Sequence, residues 1–280
     1  MIKPKRIRFL WKNLLPYCAL VCISVFTCFP ILWMILTSLK PATEIYSDPP
    51  KFLPQHLDIG SYYRAFTVYF FGTYFKNTII VAFATSLLCV IAGSLGAYSL
   101  TRYRFRGREF AANLTLITYM FAPIMIAIPL FVLLSKLGLT NSRLGLILSY
   151  TTMGLPLSLW MLRSFFLGVS VSLEEAAWLD GANRIQGIIH ILLPSVLPGL
   201  IAVTIFVFVI AANDYILALV LLSTDRLFTL PIGISNYMEG FGVDWAVVQA
   251  VGVIATIPII GAFFYLQKYF VKGWGVGGLK

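Results

Sequence analysis

The chain has 280 residues, of which 59% are hydrophobic and 11% are charged, against about 45–50% and about 25% in an average soluble domain. This composition excludes an ordinary water-soluble globule, because too few polar side chains are available to cover its surface. The net charge of +10 reflects Lys and Arg residues that flank apolar segments, so it does not indicate a nucleic-acid partner.

Six apolar blocks of membrane-spanning length follow one another along the chain. A helix needs about 20 apolar residues to cross a bilayer, and backbone groups in lipid must find their partners within the same segment. The blocks are Tyr17–Leu39, Thr73–Leu100, Phe110–Leu134, Leu144–Leu162, Leu200–Leu222 and Ala246–Phe270. We therefore predict an all-α membrane protein with six transmembrane helices. The first block is too long for a cleaved signal peptide and is expected to remain as an anchor.

The placement of Lys and Arg predicts the orientation of these spans. Basic residues cluster in the N-terminal tail, in the connection that holds Arg102 to Arg108, in the stretch that holds Arg163 and Arg184, and at the C-terminal end. Alternating spans bring all of these segments to one side of the membrane. We predict that this side is the cytoplasm and that it holds both termini.

A polar stretch, residues 172–198, interrupts the apolar pattern between the fourth and fifth blocks, and we call it the polar passage. Ser172 followed by Glu175 is a capping-box pattern, which predicts a helix over Leu173–Asp180. Gly181 would supply a bend or a positive-φ cap, and a second helical piece would extend from Ala182 to Leu193. On the local pattern alone, an element that transmits force from a partner and a plain amphipathic loop are equally good interpretations.

The spacing Glu175-Ala176-Ala177, Gly181, Ile191, Leu193-Pro194 resembles the EAA signature of ABC importer permeases. In that family this passage is the coupling helix, which docks on a cytoplasmic ATPase subunit. By resemblance, Glu175 would meet polar or basic groups of the ATPase, the two alanines would allow close approach, and Gly181 would form the bend. The ATPase-coupling residues implied in this way are Glu174, Glu175, Ala176, Ala177, Asp180, Gly181, Ile191, Leu193 and Pro194.

Other segments resemble the second permease of maltose-type sugar importers, and the resemblance extends over nearly the whole chain from about Pro30. They are Phe75–Phe110 with its Asn77-Thr78 pair, Pro129-Leu130-Phe131, Trp160-Met161-Leu162-Arg163, Asn213-Asp214-Tyr215 and the glycine-rich tail from Gly273. Two positions depart from the family pattern: Ala212 stands where Trp is frequent, and Ser170 where Pro is frequent.

The resemblance implies the fold, the division of the chain and the partners. The fold is a type I ABC importer transmembrane domain in the inner membrane of a bacterium, and it catalyses no reaction. Residues 1–72 would form a tail, the first span and an extracytoplasmic loop, residues 73–270 the permease domain, and residues 271–280 a cytoplasmic tail. The partners would be a second permease, two ABC ATPase subunits, an extracellular or periplasmic sugar-binding protein and membrane lipid.

Asp214 is a candidate for the translocation pathway, together with Asn213 and Tyr215. A carboxylate at membrane depth is costly and usually faces a cavity or a partner, although a purely structural bond between helices would also satisfy it. The sequence contains no Gly-rich phosphate-binding loop of the Gly-x-x-x-x-Gly-Lys type and no metal-ligand spacing. We therefore expect no cofactor in this chain, with ATP bound by the partner subunits.

Two other classes of function remain open from the residues. One is a stand-alone secondary transporter or channel driven by an ion gradient, and the other is a receptor that binds a ligand without transport. The polar passage, and the lack of a second intramembrane acid to relay a proton from Asp214, favour an ATP-driven importer of sugars or oligosaccharides.

Overall fold

The computed structural model describes residues 4–49, 51–240 and 242–277, and these residues form helices and connecting turns with no strand. A π-helical turn occupies Ile188–Leu192 and a 3₁₀ turn Asp225–Leu227. The α-helices are α1 (Pro4–Ser38), α2 (Ala42–Ile45), α3 (Gly60–Thr67), α4 (Phe71–Arg102), α5 (Arg108–Tyr119), α6 (Pro123–Lys136), α7 (Arg143–Leu167), α8 (Val171–Leu179), α9 (Arg184–Gly187), α10 (Leu193–Ser195), α11 (Leu197–Asn213), α12 (Ile216–Leu221), α13 (Leu230–Met238) and α14 (Trp245–Gly277).

Four of the described helices contain a segment that is long and apolar enough to cross a membrane, and the number rises to six if each of two bent helix pairs counts as one span. The four segments are Pro16–Ser38, Phe71–Arg102, Arg143–Leu167 and Trp245–Phe264. This arrangement confirms the all-α membrane fold. The cytoplasmic position of both termini stays a prediction.

Two of the six apolar blocks are not single straight helices. The third block contains α5 and α6, which meet at an angle of 100°. Pro123 starts α6, and Ala122 before it is extended, because the residue ahead of a proline is disfavoured in helical conformation. The fifth block is divided at Asp214, whose extended backbone separates α11 from α12. The passage piece Arg184–Ser195 meets α11 at 76°.

The described residues fall into two compact units. One contains the residues up to Phe70 together with Gly242–Ile257, and the other contains Phe71 to residue 240 together with the residues from Pro258 onward. The division of the chain at residue 72 that the sequence suggested stays a prediction. The polar passage and the candidate pathway residues both lie in the second unit.

Helices α4, α7 and α11 pack against one another in the second unit. Small residues permit this packing, as is common between membrane helices. A Cβ atom at Gly93 of α4 would lie 3.1 Å from the Cβ atom of Ser158, and one at Gly154 of α7 would lie 3.0 Å from Sγ of Cys89 and 3.1 Å from Val207. Larger side chains at these two glycines would push the three helices apart.

Two clusters of buried apolar side chains hold the second unit together. One contains residues from α4, α6, α7 and α12, including Val81, Leu134 and Leu217. The other lies near the C-terminal end of α4 and contains Tyr98 and Phe166. Because Leu192 and Val196 of the polar passage also belong to it, the passage is embedded in the helix core at that end.

The opposite end of α4 is tied to the connection that follows α12. Nδ2 of the buried Asn77 donates to the carbonyl oxygens of Arg226 and Phe228, both at 2.9 Å. Nη2 of Arg143 donates to Oδ1 of Asn77 at 2.8 Å. The hydroxyl of Thr78 accepts from the backbone N–H of Leu230, where α13 begins. The connection that follows α12 therefore leads into a helix, α13, whose start is fixed by α4.

The segment after α1, in the first unit, is also more ordered than the sequence suggested. The sequence predicted only an extracytoplasmic loop here, but the segment contains α2 and α3. Its centre is the carboxylate of Glu44, which accepts from the backbone N–H groups of Gln55 at 2.9 Å and His56 at 3.0 Å. The hydrogen bond from Gln55 is the main reason why the pKa of Glu44 lies below its usual value of 4.5, and burial opposes it. Arg64 pairs with Asp244 at 2.8 Å.

Candidate functional site

The polar passage begins with α8, and its cap is not the one we predicted. The hydroxyl of Ser170 accepts from the backbone N–H of Ser172 and shares a 2.6 Å hydrogen bond with the Ser172 hydroxyl. The helix therefore starts at Val171 and ends at Leu179, so the predicted Ser172–Glu175 capping box is wrong. Serine at position 170 accepts the hydrogen bond that starts the helix two residues earlier.

The two glutamates of α8 point in different directions, since adjacent residues are about 100° apart on a helix. Glu174 is buried, with only 1% of its surface exposed. Glu175, Ala176, Leu179 and Asp180 are all exposed, at a spacing that places them on one side of the helix. Leu179 is 89% exposed. We call these four residues the outer face of α8.

Glu174 forms an ion pair inside the protein instead of presenting its carboxylate to the surface. Oε1 of Glu174 accepts from Nε of Arg102, the last residue of α4, at 2.6 Å. The two side chains are 1% and 8% exposed, respectively. Nη2 of the same arginine donates to the carbonyl oxygen of Val169 at 3.1 Å. The sequence grouped Glu174 with residues that contact the ATPase and Arg102 with residues that set membrane orientation, whereas the structure pairs them.

Gly181 forms the bend that the sequence predicted. Its φ is +90°, a conformation that residues with a Cβ atom rarely adopt. The N–H of Gly181 donates to the carbonyl of Trp178, and the N–H of Ala182 donates to that of Ala177 at 2.9 Å. These two bonds satisfy the carbonyls left open at the end of a helix. A Cβ atom at Gly181 would meet nothing within 4 Å, so the requirement for glycine here is conformational.

The second half of the passage is one continuous helical piece, Arg184–Ser195, which is close to the helix predicted over Ala182–Leu193 but contains a π-helical turn. Asn183 and Gln186 form a reciprocal capping box that starts α9, and the π-helical turn follows directly. Leu192 is fully buried in the second cluster, and burial of a leucine side chain stabilises by about 1.5–3 kcal/mol. Of the signature residues, Ile191 and Leu193 are half-buried and Pro194 is exposed.

Arg184 of α9 lies against two aromatic rings that come from different parts of the chain. Its guanidinium carbon is 5.7 Å from the ring centroids of both Tyr103 and Trp178. Its Nη1 also donates to the hydroxyl of Tyr103 at 3.0 Å. Gly187 lets Trp178 lie close, since a Cβ atom there would be 3.3 Å from Nε1 of the indole.

The candidate pathway residues mark the break in the fifth apolar block. Oδ1 of Asp214 accepts from the backbone N–H groups of Leu217 at 3.0 Å and Ala218 at 3.4 Å, and so it caps α12. Nδ2 of Asn213 donates to the carbonyl of Val209 within α11. The Tyr215 hydroxyl accepts from Ser235 of α13. Asn213 is exposed and the other two are half-buried, so the acid has a local structural role here.

A cavity of about 360 Å³ lies at the bend between α5 and α6. Its wall combines hydroxyl groups and apolar groups of the four helices α5, α6, α7 and α11. The lining includes Thr118, Tyr119, Thr152, Met153 and Ile210. Ile210 precedes Asn213 by one helical turn, so this cavity and the break in the fifth block are neighbouring features of the second unit.

Comparison with known proteins decides the family. Residues 89–276 match the family described as binding-protein-dependent transport system inner membrane component. The chain is an ABC importer permease of this family. It is a multi-pass protein of the inner membrane and a transport subunit, not an enzyme. The matched region contains the whole polar passage and the break at Asp214.

The permease is also similar along its length to individual proteins. It is 35% identical over 266 residues to the inner membrane ABC transporter permease protein YcjP of Escherichia coli, with 94% of this chain and 95% of the relative covered. It is 34% identical to the trehalose/maltose transport system permease protein MalG of Thermococcus litoralis, with coverages of 96% and 97%. The sulfoquinovosyl glycerol permease SmoH of Agrobacterium fabrum is 33% identical, with coverages of 90% and 88%.

A solved structure shares the fold. A chain of a bacterial ABC transporter involved in the import of the acidic polysaccharide alginate superimposes with a TM-score of 0.77 at 26% identity, covering 96% of the permease and 99% of that chain. The expectation of an ABC importer transmembrane domain is thereby confirmed.

Proposed function

We propose that the permease forms half of the translocation pathway of an ATP-driven importer, and that the outer face of α8 is where a cytoplasmic ATPase docks. The observation that carries this proposal is the outer face itself. Two acids, one alanine and a nearly fully exposed leucine lie together on a helix whose opposite side is anchored in the protein. Leu179 would enter a groove of the ATPase while Glu175 and Asp180 meet its basic groups, and Ala176 lets the two backbones come close.

The connections of α8 are suited to passing on a movement. Only residues 168–170 separate it from α7, and the passage after Gly181 leads through the buried Leu192 and Val196 into α11. Closure of two ATPase subunits on ATP would displace α8 and thereby the helices to which it is joined. The energetic requirement is that the inward-open and outward-open states make different contacts with the ATPase. Glu174 would then support the docking surface from inside.

The substrate that we propose is a carbohydrate, delivered by an extracellular or periplasmic binding protein and passed through a pathway shared with a second permease. The relatives named for trehalose, maltose and sulfoquinovosyl glycerol, and the fold shared with an alginate importer, support this class. Asn213 and Tyr215, beside the hydroxyl-bearing cavity, are the side chains that we propose for the pathway wall. Membrane lipid covers the remaining apolar surface.

Cross-linking tests the docking surface directly. Ala176→Cys and Leu179→Cys should each form a covalent adduct with the co-purified ATPase subunit when a short bifunctional thiol reagent is added to inner membranes. Leu57→Cys is the control, because Leu57 is also exposed, at 75% against 89% for Leu179, but lies in the segment predicted outside. Adducts at Leu57, or none at either α8 position, would contradict the assigned docking face.

Energy dependence separates the importer from the alternatives. In proteoliposomes with the ATPase subunits and the binding protein, uptake of trehalose or maltose should require ATP inside and should continue when a protonophore removes the ion gradient. Gly181→Pro should abolish this uptake while membrane insertion continues. Uptake that follows the proton gradient without ATP would indicate a secondary transporter. A chain that purifies with no ATPase bound, and transports nothing, would indicate a receptor.

A further inference from the structure

We propose that α8 and the C-terminal end of α4 move as one rigid body, held by a clamp that consists of the Arg102–Glu174 ion pair and of Arg184 packed against Tyr103 and Trp178. The clamp transmits a displacement of α8 directly to α4. The chain connections of α8 transmit the same displacement to α7 and α11. Arg102 and Glu174 are then positioning residues for transport. This inference rests on the proposed function, because it assumes that an ATPase pushes on α8.

The ion pair is the inner part of the clamp. One guanidinium binds both the carboxylate of Glu174 and the carbonyl of Val169, at 2.6 Å and 3.1 Å. It therefore fixes α8 and the short connection ahead of it to the last residue of α4. Charge-assisted bonds of a planar guanidinium are directional, and this pair is shielded from water. A separation of α8 from α4 would leave two buried charges unpaired, so the two elements are expected to stay together.

The aromatic contacts are the outer part of the clamp. Tyr103 follows Arg102 directly, and its ring packs edge-on against Tyr98 of α4 at 5.9 Å. Arg184 contacts Tyr103 and Trp178 at the same time, and so it joins α9, α8 and the end of α4. The inner and outer contacts hold the passage at two separate points. Two points of attachment resist rotation of α8 about either one, which a single ion pair would permit.

The position of α4 explains what the clamp would achieve. α7 and α11 both pack along α4, with close approaches at Gly93 and Gly154. Arg102 of the clamp and Asn77 are 25 residues apart on α4, which corresponds to about 38 Å at 1.5 Å per residue. Because Asn77 holds the carbonyls of Arg226 and Phe228, a tilt of α4 that begins at Arg102 would also move the connection before α13. The clamp thus links the docking face to the far end of the same unit.

Distance measurements between spin labels test the rigid body without altering the clamp. The complete importer is placed in lipid nanodiscs, with the exposed Cys18, Cys22 and Cys28 replaced by Ser. One label pair joins Ile185→Cys of the passage to Leu95→Cys of α4, and the control pair joins Ile185→Cys to Met120→Cys at the α5–α6 bend. All three positions are exposed, and Ile185 lies outside the docking face. Distances are compared between the nucleotide-free state and the state trapped with ATP and vanadate.

We expect the distance from Ile185 to Leu95 to change by less than about 2 Å, the size of an ordinary helix adjustment, while the distance from Ile185 to Met120 changes by more. A change in the first pair as large as that in the control pair would overturn the rigid body. If ATP and vanadate move neither pair although ATPase subunits are bound, the proposed coupling function fails, and the inference fails with it.

Variants of the ion pair test the positioning role. Glu174→Gln should broaden the distance distribution between Ile185 and Leu95 and lower the number of sugar molecules transported per ATP hydrolysed. Arg102→Lys alone keeps the charge that faces Glu174. It should therefore retain more of the sugar transported per ATP hydrolysed than Glu174→Gln does. A merely structural role would instead lower transport and ATP hydrolysis together, in proportion to the amount of assembled complex, and that result would overturn the inference. If the Glu174→Gln permease fails to assemble into the complex, the spin-label distances measured with the unmodified clamp decide whether α8 and α4 move together.

Discussion

Replacing Gly181 with alanine should weaken docking of the ATPase more than it weakens the fold of the permease. At φ +90°, a residue with a Cβ atom is disfavoured by about 1–2 kcal/mol. No steric clash adds to this cost, because the new methyl group would meet no atom within 4 Å. An energy of this size changes a conformational equilibrium by a factor of about 5–30. The bend at the end of α8 would then adopt its docking-competent form in a smaller fraction of molecules.

The measurement is the Kd of the detergent-solubilised permease pair for its purified ATPase subunit. Loss of the competent fraction raises the apparent Kd by at most the same factor, so Gly181→Ala should weaken binding by up to about 30-fold. Asn tolerates positive φ better than other residues with a side chain, so Gly181→Asn should weaken binding less.

Gly107→Ala is the matched control, since Gly107 has a φ of +87° and equally open surroundings but lies between α4 and α5. It should lower thermal stability similarly and leave Kd unchanged. Equal Kd values for the two alanine variants would refute the reasoning.

Three further predictions concern the buried ion pair, the cap of α12 and the loop after α1. Glu174→Leu leaves Arg102 buried without a partner and should lower the free energy of unfolding by about 3–5 kcal/mol. The double variant with Arg102→Met should recover most of that lost stability. Thermal unfolding of the purified complex measures both effects. Asp214→Ala should cost about 0.5–2 kcal/mol through loss of the α12 cap and Asp214→Asn much less, and equal loss of uptake in both would show that the charge matters instead. The pKa of Glu44 is lowered chiefly by the N–H of Gln55, so the stabilising contribution of this carboxylate is complete above pH 4.5 and is lost as the pH falls through its lowered pKa. Limited proteolysis of the loop should accelerate in that acidic range. Glu44→Gln should remove this pH dependence.

The features that the sequence predicted correctly depend on residues close together in the chain. Long apolar blocks predict membrane helices because a helix that crosses the bilayer needs about 20 predominantly apolar residues in succession. The bend at Gly181 follows from a local requirement for positive φ that glycine meets at little cost. Because Gly181 marks where the helix ends, the existence of α8 was also predictable, although the residue at which it starts was not. Ser170 and Ser172 are both good caps, and only the path of the chain from α7 decides between them.

The features that the sequence did not reveal depend on residues far apart in the chain. Glu174 and Glu175 are adjacent acids on one short helix, and only the position of Arg102, 72 residues away, turns one inward and leaves the other outside. Arg102 stands in a run of arginines that also fits the orientation of the membrane spans, so its pairing could not be distinguished. The 100° bend between α5 and α6 was missed because Pro123 is also compatible with an ordinary kinked span.

The π-helical turn at Ile188–Leu192 has a consequence for sequences of different length. A π turn holds more residues per turn than an α-helix, so it has room for one residue that an α-helical path would not need. Deleting one residue there would allow ordinary i→i+4 bonding, with about 3.6 residues in the same turn. Homologous chains could therefore lose or gain a single residue at this point without opening a gap in the backbone hydrogen bonds. Because the π turn takes up the additional residue within a single turn, the docking face would keep its orientation relative to the membrane helices.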